Sequence, residues 1–160
     1  MAKAKNYVPE GLRSLNAHLT IKDCAKAIEF YKRAFGATEV SRYNGPDGGI
    51  MHATIRIGDS VLMLNDEFLP MNCKGPLTIG GTPVSISLYV PNVDEVYSRA
   101  VAEGAKATMP VSDMFWGDRY GMLVDPFGHQ WEIATHIEDL SPAELKERGE
   151  KAMAEMKAKA

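Results

Sequence analysis

Cysteine, an excess of basic charge and long apolar stretches are what this sequence has least of. Its two cysteines, Cys24 and Cys73, lie far apart and outside any metal-type or redox spacing, so neither a disulfide framework nor a cysteine-based metal cluster is expected. Lys and Arg number 18 against 21 Asp and Glu, a formal net charge of −3, and the basic patch that announces nucleic acid is missing. No run approaches the roughly 18 apolar residues of a membrane span. The opening Met1-Ala-Lys-Ala-Lys-Asn has no apolar stretch of signal-peptide length. The expected setting is therefore the cytoplasm, with neither nucleic acid nor membrane as partner. A glycine-rich phosphate loop, a nucleotide fingerprint and an ordered Ser-His-Asp set are also absent, so no nucleotide cofactor is expected.

What is present is a repeat. Ala25 to Thr38 contains Tyr31-Lys32-Arg33-Ala34 and stops at Gly36-Ala37, while Val93 to Ala105 contains Tyr97-Ser98-Arg99-Ala100 and stops at Gly104-Ala105. Each is a short helix preceded by one strand-like run and followed by three more, and periods of this kind decide the fold. Leu15 to Ile21 alternates apolar and polar, as a strand with one buried face must. Asp23 is the expected N-cap of the first helix and Gly36 its stop. Ala27, Ile28, Tyr31, Ala34 and Phe35 form its apolar stripe. Strands are expected at 39–43, 50–57 and 60–65. Val84 to Val90 opens the second module, Asn92 caps its helix, and strands follow at 106–111, 119–124 and 130–136, the last two joined by an Asp125-Pro126-Phe127-Gly128 turn. Cys24, although at a helix start where the macrodipole favours a thiolate, is expected to be half-buried and inert.

The organisation predicted is one α+β domain over residues 1–140, with modules of about 12–65 and 83–138 joined by a Pro- and Gly-rich linker at 66–82. A tail at 141–160 follows, whose Ser141-Pro142-Ala143-Glu144 reads as a capped helix start. Leu140, Leu145 and Met153 are its expected anchors. Trp131 is expected in the core, and His129 and His136 at the surface.

Apolar strand faces should meet the helices. The polar faces then carry Asn16, His18, Thr20, His52, Thr54, Arg56, Met63, Asn65, Ser85, Ser87, Tyr89, Arg119, Gly121, Gln130 and Glu132. So many polar groups are costly if buried dry, which favours a wet, ligand-sized cleft over a merely solvated sheet face.

The helix Ala27-Ile28-Glu29-Phe30-Tyr31-Lys32-Arg33-Ala34-Phe35-Gly36-Ala37 and the segment Asp125-Pro126-Phe127-Gly128-His129-Gln130-Trp131-Glu132 resemble the vicinal oxygen chelate superfamily of glyoxalases, bleomycin-resistance proteins and dioxygenases. Gly49-Ile50-Met51-His52-Ala53, Ile57-Gly58-Asp59-Ser60 and Phe115-Trp116-Gly117-Asp118-Arg119-Tyr120-Gly121 resemble its PhnB-like branch. The resemblance covers roughly residues 12–140. It implies two tandem βαβββ modules forming a cupped mixed sheet around a cavity, and a homodimer. In metal-dependent members four ligands come from the first and last strands of the modules. The matching positions here are Asn16, Met63, Ser85 and Glu132, of which only Glu132 is a good donor for a transition metal.

His18 lies two residues beyond Asn16 and His52 faces the same way, so that with Glu132 they offer a two-His, one-carboxylate set for zinc, manganese or iron. Against this stands a role for both histidines as hydrogen-bonding wall residues. Glu132 could instead pair with Arg56 or Arg119, or act as a general base beside a carbonyl. Arg56, Tyr89, Trp116 and Arg119 are the candidate substrate-binding residues, with a salt bridge to Asp118 or Asp125 as the alternative for Arg119. Two functions follow. One is a glyoxalase- or dioxygenase-like lyase, isomerase or oxygenase acting on a small polar molecule, with one divalent metal. The other is a metal-free protein that sequesters a small molecule between aromatic walls.

Overall fold

The computed structural model describes residues 3–159. The chain divides after Thr82 into two compact units, and each is a four-stranded mixed sheet carrying one principal helix.

In the first unit β1 (Ala17–Ile21), β2 (Thr38–Asn44), β3 (Ile50–Ile57) and β4 (Ser60–Asp66) lie in the order β1-β4-β3-β2. β1 runs parallel to β4 and the other pairs are antiparallel. Helix α1 (Cys24–Phe35) crosses from β1 to β2. Asp23 caps it, its side chain accepting from the Lys26 N–H, and Gly36 at φ 69° closes it by donating to the Lys32 carbonyl. The expected stripe of Ala27, Ile28, Tyr31, Ala34 and Phe35 is buried, with Leu19, Ile21, Ile55 and Leu64 beneath it. Each large side chain taken from water in this way contributes about 1.5–3 kcal/mol. Cys24 is fully buried rather than half-buried. Burial, helped by the Asp66 carboxylate, pushes its thiol up to about 12, so desolvation outweighs the helix terminus and the thiol is inert at neutral pH.

The segment expected as a linker holds short elements of its own: a 3-10 turn at Leu69–Met71 and a one-turn helix α2 (Pro76–Ile79). An antiparallel bridge joins Phe68 and Cys73.

The second unit repeats the arrangement. β5 (Ser85–Tyr89), β6 (Lys106–Asp113), β7 (Asp118–Val124) and β8 (Gln130–His136) lie in the order β5-β8-β7-β6, again with the first and last strands parallel. Helix α3 (Val93–Ala102) is capped by Asn92, whose side chain accepts from Glu95 N–H, and Asp94 and Glu95 in its first turn suit the positive end of the helix. Val93, Val96, Ala100, Leu123, Trp131 and Ile133 form its core. The turn from β7 to β8 is organised by Asp125, which is buried and accepts from Phe127 N–H, His129 N–H and the Trp131 indole, each at 2.9 Å. That turn draws His129 into the interior, so the expectation of a surface residue fails for it.

Helix α4 (Pro142–Lys159) starts with a reciprocal cap: Glu144 accepts from Ser141 N–H at 2.9 Å, and Ser141 Oγ accepts from Glu144 N–H at 3.3 Å. Of the expected anchors, Leu140 is half-buried and the other two are not. Leu145 and Met153 are exposed. The helix is held instead by Arg148 paired with Glu138 and by the approach of Gly149 to the Phe115 ring. Among the described residues no helix is long and apolar enough to cross a membrane.

Candidate functional site

Strand register in the second unit sets three rows on the sheet face opposite α3. Ser87, Glu132 and Met122 are neighbours in one row, and Tyr89, Ala134 and Tyr120 in the next. His136 and Asp118 follow. The turn between β6 and β7 brings Trp116 over this face. Together Ser87, Tyr89, Trp116, Asp118, Tyr120, Glu132 and Ala134 line a pocket of about 230 Å³.

Two carboxylates hold the wall in place. Asp118 is 4% exposed. Its Oδ2 accepts from the Tyr89 hydroxyl at 2.8 Å and the Trp116 indole at 3.1 Å, while its Oδ1 lies 2.7 Å from His136 Nδ1. The other His136 nitrogen is 3.1 Å from Asp139. Burial acts to raise the Asp118 carboxyl, but the hydrogen bonds from His136, Tyr89 and Trp116 together outweigh it and hold the group below its usual range. Glu132 Oε2 accepts from Ser87 Oγ at 2.6 Å. Burial and then the Glu132 charge push the Tyr120 phenol up; the bond to Asp118 does the same for Tyr89. Both phenols therefore stay neutral at physiological pH. Trp116 meets Phe115 and Tyr120 edge to face, with ring centroids 5.0 and 5.5 Å apart.

Of the residues expected here, Glu132, Tyr89 and Trp116 stand in one pocket. Arg119 does not join them. Gly121 lies under α3, where a Cβ would come within 3.0 Å of the Tyr97 ring, and Leu123 beyond it is buried. The odd-numbered positions of β7 thus face the helix, and the inward assignment of Arg119 and Gly121 was one residue out of phase. Arg119 forms a bidentate pair with Asp94, both contacts at 2.7 Å, and a third bond to Asp113 at 2.8 Å. A salt bridge was one expectation for it, though with other carboxylates. The same half-period shift hid Asp118 and Tyr120. Trp131 and Ile133 in the core put Glu132 inward, and the strand opposite then presents Tyr120; that was the signal available in the sequence.

In the first unit the expected alternation holds over Leu19 to Ile21, whereas Leu15, expected on the apolar face, is 90% exposed and precedes β1, and Ala17 is exposed as well. The His18 and His52 rings meet edge to face with centroids 5.6 Å apart, and His52 Nε2 is 3.4 Å from Thr54 Oγ1. Burial, then the neighbouring His52, lower the His18 pKa. His52, Thr54, Arg56 and Met63 line a second pocket of about 230 Å³ with Pro9 to Leu12 along one side. Asn16 is engaged with its own loop through Arg13. Cys73 lies 3.2 Å from Thr20 Oγ1 and 3.4 Å from Asn65 Nδ2, bonds that lower its thiol pKa.

His18 and His52 thus belong to one unit and Glu132 to the other, so the two-His, one-carboxylate set is not assembled within either. Among the described residues no group of three or more His, Cys, Asp or Glu side chains is placed to hold a metal ion. Within either unit taken by itself the donors expected for a divalent metal are incomplete.

The Asp118 couple gives stability a pH dependence. Hydrogen bonds to Asp118, then Asp139, raise the His136 pKa above its ordinary 6.5. A group raised on folding contributes stability that is fully present below its unfolded pKa and is lost as pH rises through the folded one. The urea midpoint of the wild type should therefore fall between pH 6 and pH 9 more than that of His136→Gln. Equal slopes in the two proteins would show that the pair carries no charge-dependent stability.

Comparison with known proteins places this geometry in a wider group. A family model described as the Glyoxalase/Bleomycin resistance protein/Dioxygenase superfamily matches residues 13–133. An uncharacterised protein of Mycobacterium tuberculosis is 43% identical over 136 residues, covering 82% of this chain and 79% of the relative. Among solved structures, TioX from Micromonospora sp. ML1 is 30% identical with a TM-score of 0.61, covering 77% of this chain and 98% of its own. A PhnB protein from Bacillus cereus, 19% identical with a TM-score of 0.62 and covering 77% of this chain and 98% of its own, shares the fold. With the family model spanning both units, the chain belongs to the glyoxalase/bleomycin resistance protein/dioxygenase superfamily.

Proposed function

We propose that this chain is a small-molecule-binding member of its superfamily, of the PhnB-like branch, that holds its ligand in the pocket of the second unit without a resident metal. The observation that carries this reading is the fixing of Tyr89 and Trp116 onto one buried carboxylate, Asp118. Two large rings whose polar tips are already bonded form a wall that needs little ordering when a ligand arrives, and that spares affinity the entropy of immobilising side chains. The Gly49-Ile50-Met51-His52-Ala53 and Phe115-Trp116-Gly117-Asp118-Arg119-Tyr120-Gly121 motifs support the branch.

A fragment library tests the reading. The chain has two tryptophans, one in the pocket and one in the core, so the two indole N–H resonances act as reporter and control. Fragments should shift the Trp116 signal and leave that of Trp131 in place. If no fragment of any charge moves Trp116, the pocket is not a binding site.

The position of Glu132 in the same pocket favours a second reading, in which that carboxylate removes a proton next to a ligand carbonyl in an isomerase- or lyase-type step. Loss of turnover in Glu132→Gln with binding retained would support it. Metal content measured after incubation with zinc, manganese or iron(II) separates both readings from a metal-dependent enzyme: stoichiometric metal, released by Glu132→Gln or His18→Ala, would overturn the metal-free assignment.

A further inference from the structure

We infer that the pocket of the second unit selects a small organic cation, an alkylated ammonium or protonated amine, held between aromatic faces and the Glu132 carboxylate. This deepens the binding reading above and rests on it.

The first reason is the direction of the hydrogen bonds. Three of the four side-chain donors in the wall are already committed to one of the two carboxylates. Ser87 donates to Glu132, and Tyr89 and Trp116 donate to Asp118. Among the described residues no Lys, Arg or His lines the pocket. An anion or a carbonyl would find only the Tyr120 hydroxyl as an uncommitted side-chain donor, in a wall that carries two carboxylates. What the wall offers is carboxylate lone pairs and ring faces, and the complement of both is positive charge.

The second reason is the balance of charge. Asp118 is answered from behind the wall, because its second oxygen faces His136, which also pairs with Asp139. The group bonded to Glu132 is a serine hydroxyl, which is neutral. The Glu132 carboxylate thus faces the pocket with no positive side chain among the lining residues, which suits a cationic ligand. The third reason is the rings. Trp116 and Tyr120 stand at 78° to each other, giving two adjoining walls of the kind that attract a cation through the ring quadrupole, tryptophan most strongly. At about 230 Å³ the space holds roughly seven water volumes, which limits the ligand to a small amine rather than a drug-sized molecule.

The test uses three probes of nearly one shape on the full chain: choline, its neutral isostere 3,3-dimethyl-1-butanol, and the anion 3,3-dimethylbutanoate. Each is titrated while the Trp116 indole resonance is followed. Choline should bind at least about tenfold more tightly than the neutral probe, with the anion weakest. In Glu132→Gln the preference for choline over the neutral isostere should disappear while the neutral probe still binds. Trp116→Leu, which lacks the reporter indole and is therefore titrated by calorimetry, should weaken choline more than the alcohol. Equal affinity for all three probes in the wild type, or an unchanged choline preference in Glu132→Gln, would overturn cation selection and leave the binding reading standing. That reading falls separately, if no fragment of any charge reaches Trp116.

Discussion

Replacing Asp125 with alanine is expected to lower the melting temperature by roughly 10 °C. The carboxylate is buried and accepts three hydrogen bonds, two from backbone N–H groups of its own turn and one from the Trp131 indole. Its removal takes an acceptor away from three buried donors, each loss costing about 1–3 kcal/mol before the turn relaxes. A net loss of about 3–4 kcal/mol is reasonable on that scale, and a domain of this size loses roughly 2–4 °C per kcal/mol. Asp125→Asn separates the contributions. Its amide oxygen still serves the two backbone donors, while its NH₂ faces the indole N–H, so it should cost less than half as much. Thermal unfolding followed by circular dichroism decides the matter, and a drop below about 3 °C for the alanine variant would mean that the turn holds itself together without the carboxylate.

Gly117→Ala should be nearly as damaging, for a steric reason. Gly117 has φ 94°, and a Cβ built there would collide with the Glu138 carbonyl oxygen. The turn has no room to move aside, since the Gly117 carbonyl accepts from both Ile137 and Glu138 N–H and its own N–H donates to Met114. Left-handed backbone costs a substituted residue about 1–2 kcal/mol, and forced overpacking adds about 1–3 kcal/mol. Gly36→Ala is the control: its φ is 69°, but nothing lies within 4 Å of the new atom, so only the backbone strain should appear. Gly117 stands between Trp116 and Asp118, so the variant should also disturb the pocket wall and shift the Trp116 indole resonance. Equal melting temperatures for the two alanine variants would refute the collision.

Much of the architecture could be read from sequence because its signals were local. Period-two alternation in Leu19, Thr20 and Ile21, the caps Asp23 and Asn92, and the stripe along α1 each depend on residues a few positions apart. The candidate site was legible where the core fixed the phase: Trp131 and Ile133 are large and apolar, so Glu132 between them had to face the other way. It failed at β7, where the sequence Arg119-Tyr120-Gly121-Met122 has no dominant apolar phase. Only Gly121 tucked under Tyr97, a contact made across 24 positions of chain, settles which side is which. The hydrogen bonds of Asp118 were out of reach for the same reason, as its partners come from β5, β8 and a turn. His129 was misjudged because a turn residue is ordinarily exposed, and the Asp125 carboxylate folds this turn inward.

The pairing of each unit's first strand with its last has a consequence for how the chain is made. β1 pairs in parallel with β4, and β5 with β8, so neither sheet can close before its final strand has been synthesised. Parallel closure of this kind brings together distant segments and is slow compared with forming a hairpin. During translation the first sheet has all its strands once Asp66 has emerged, before any of β5 has left the ribosome, whereas the second must wait for His136. Nascent chains halted after enough of the second unit to carry residue 82 out of the ribosome should already resist protease over the first sheet. Uniform sensitivity at that length would mean that the two units acquire structure together.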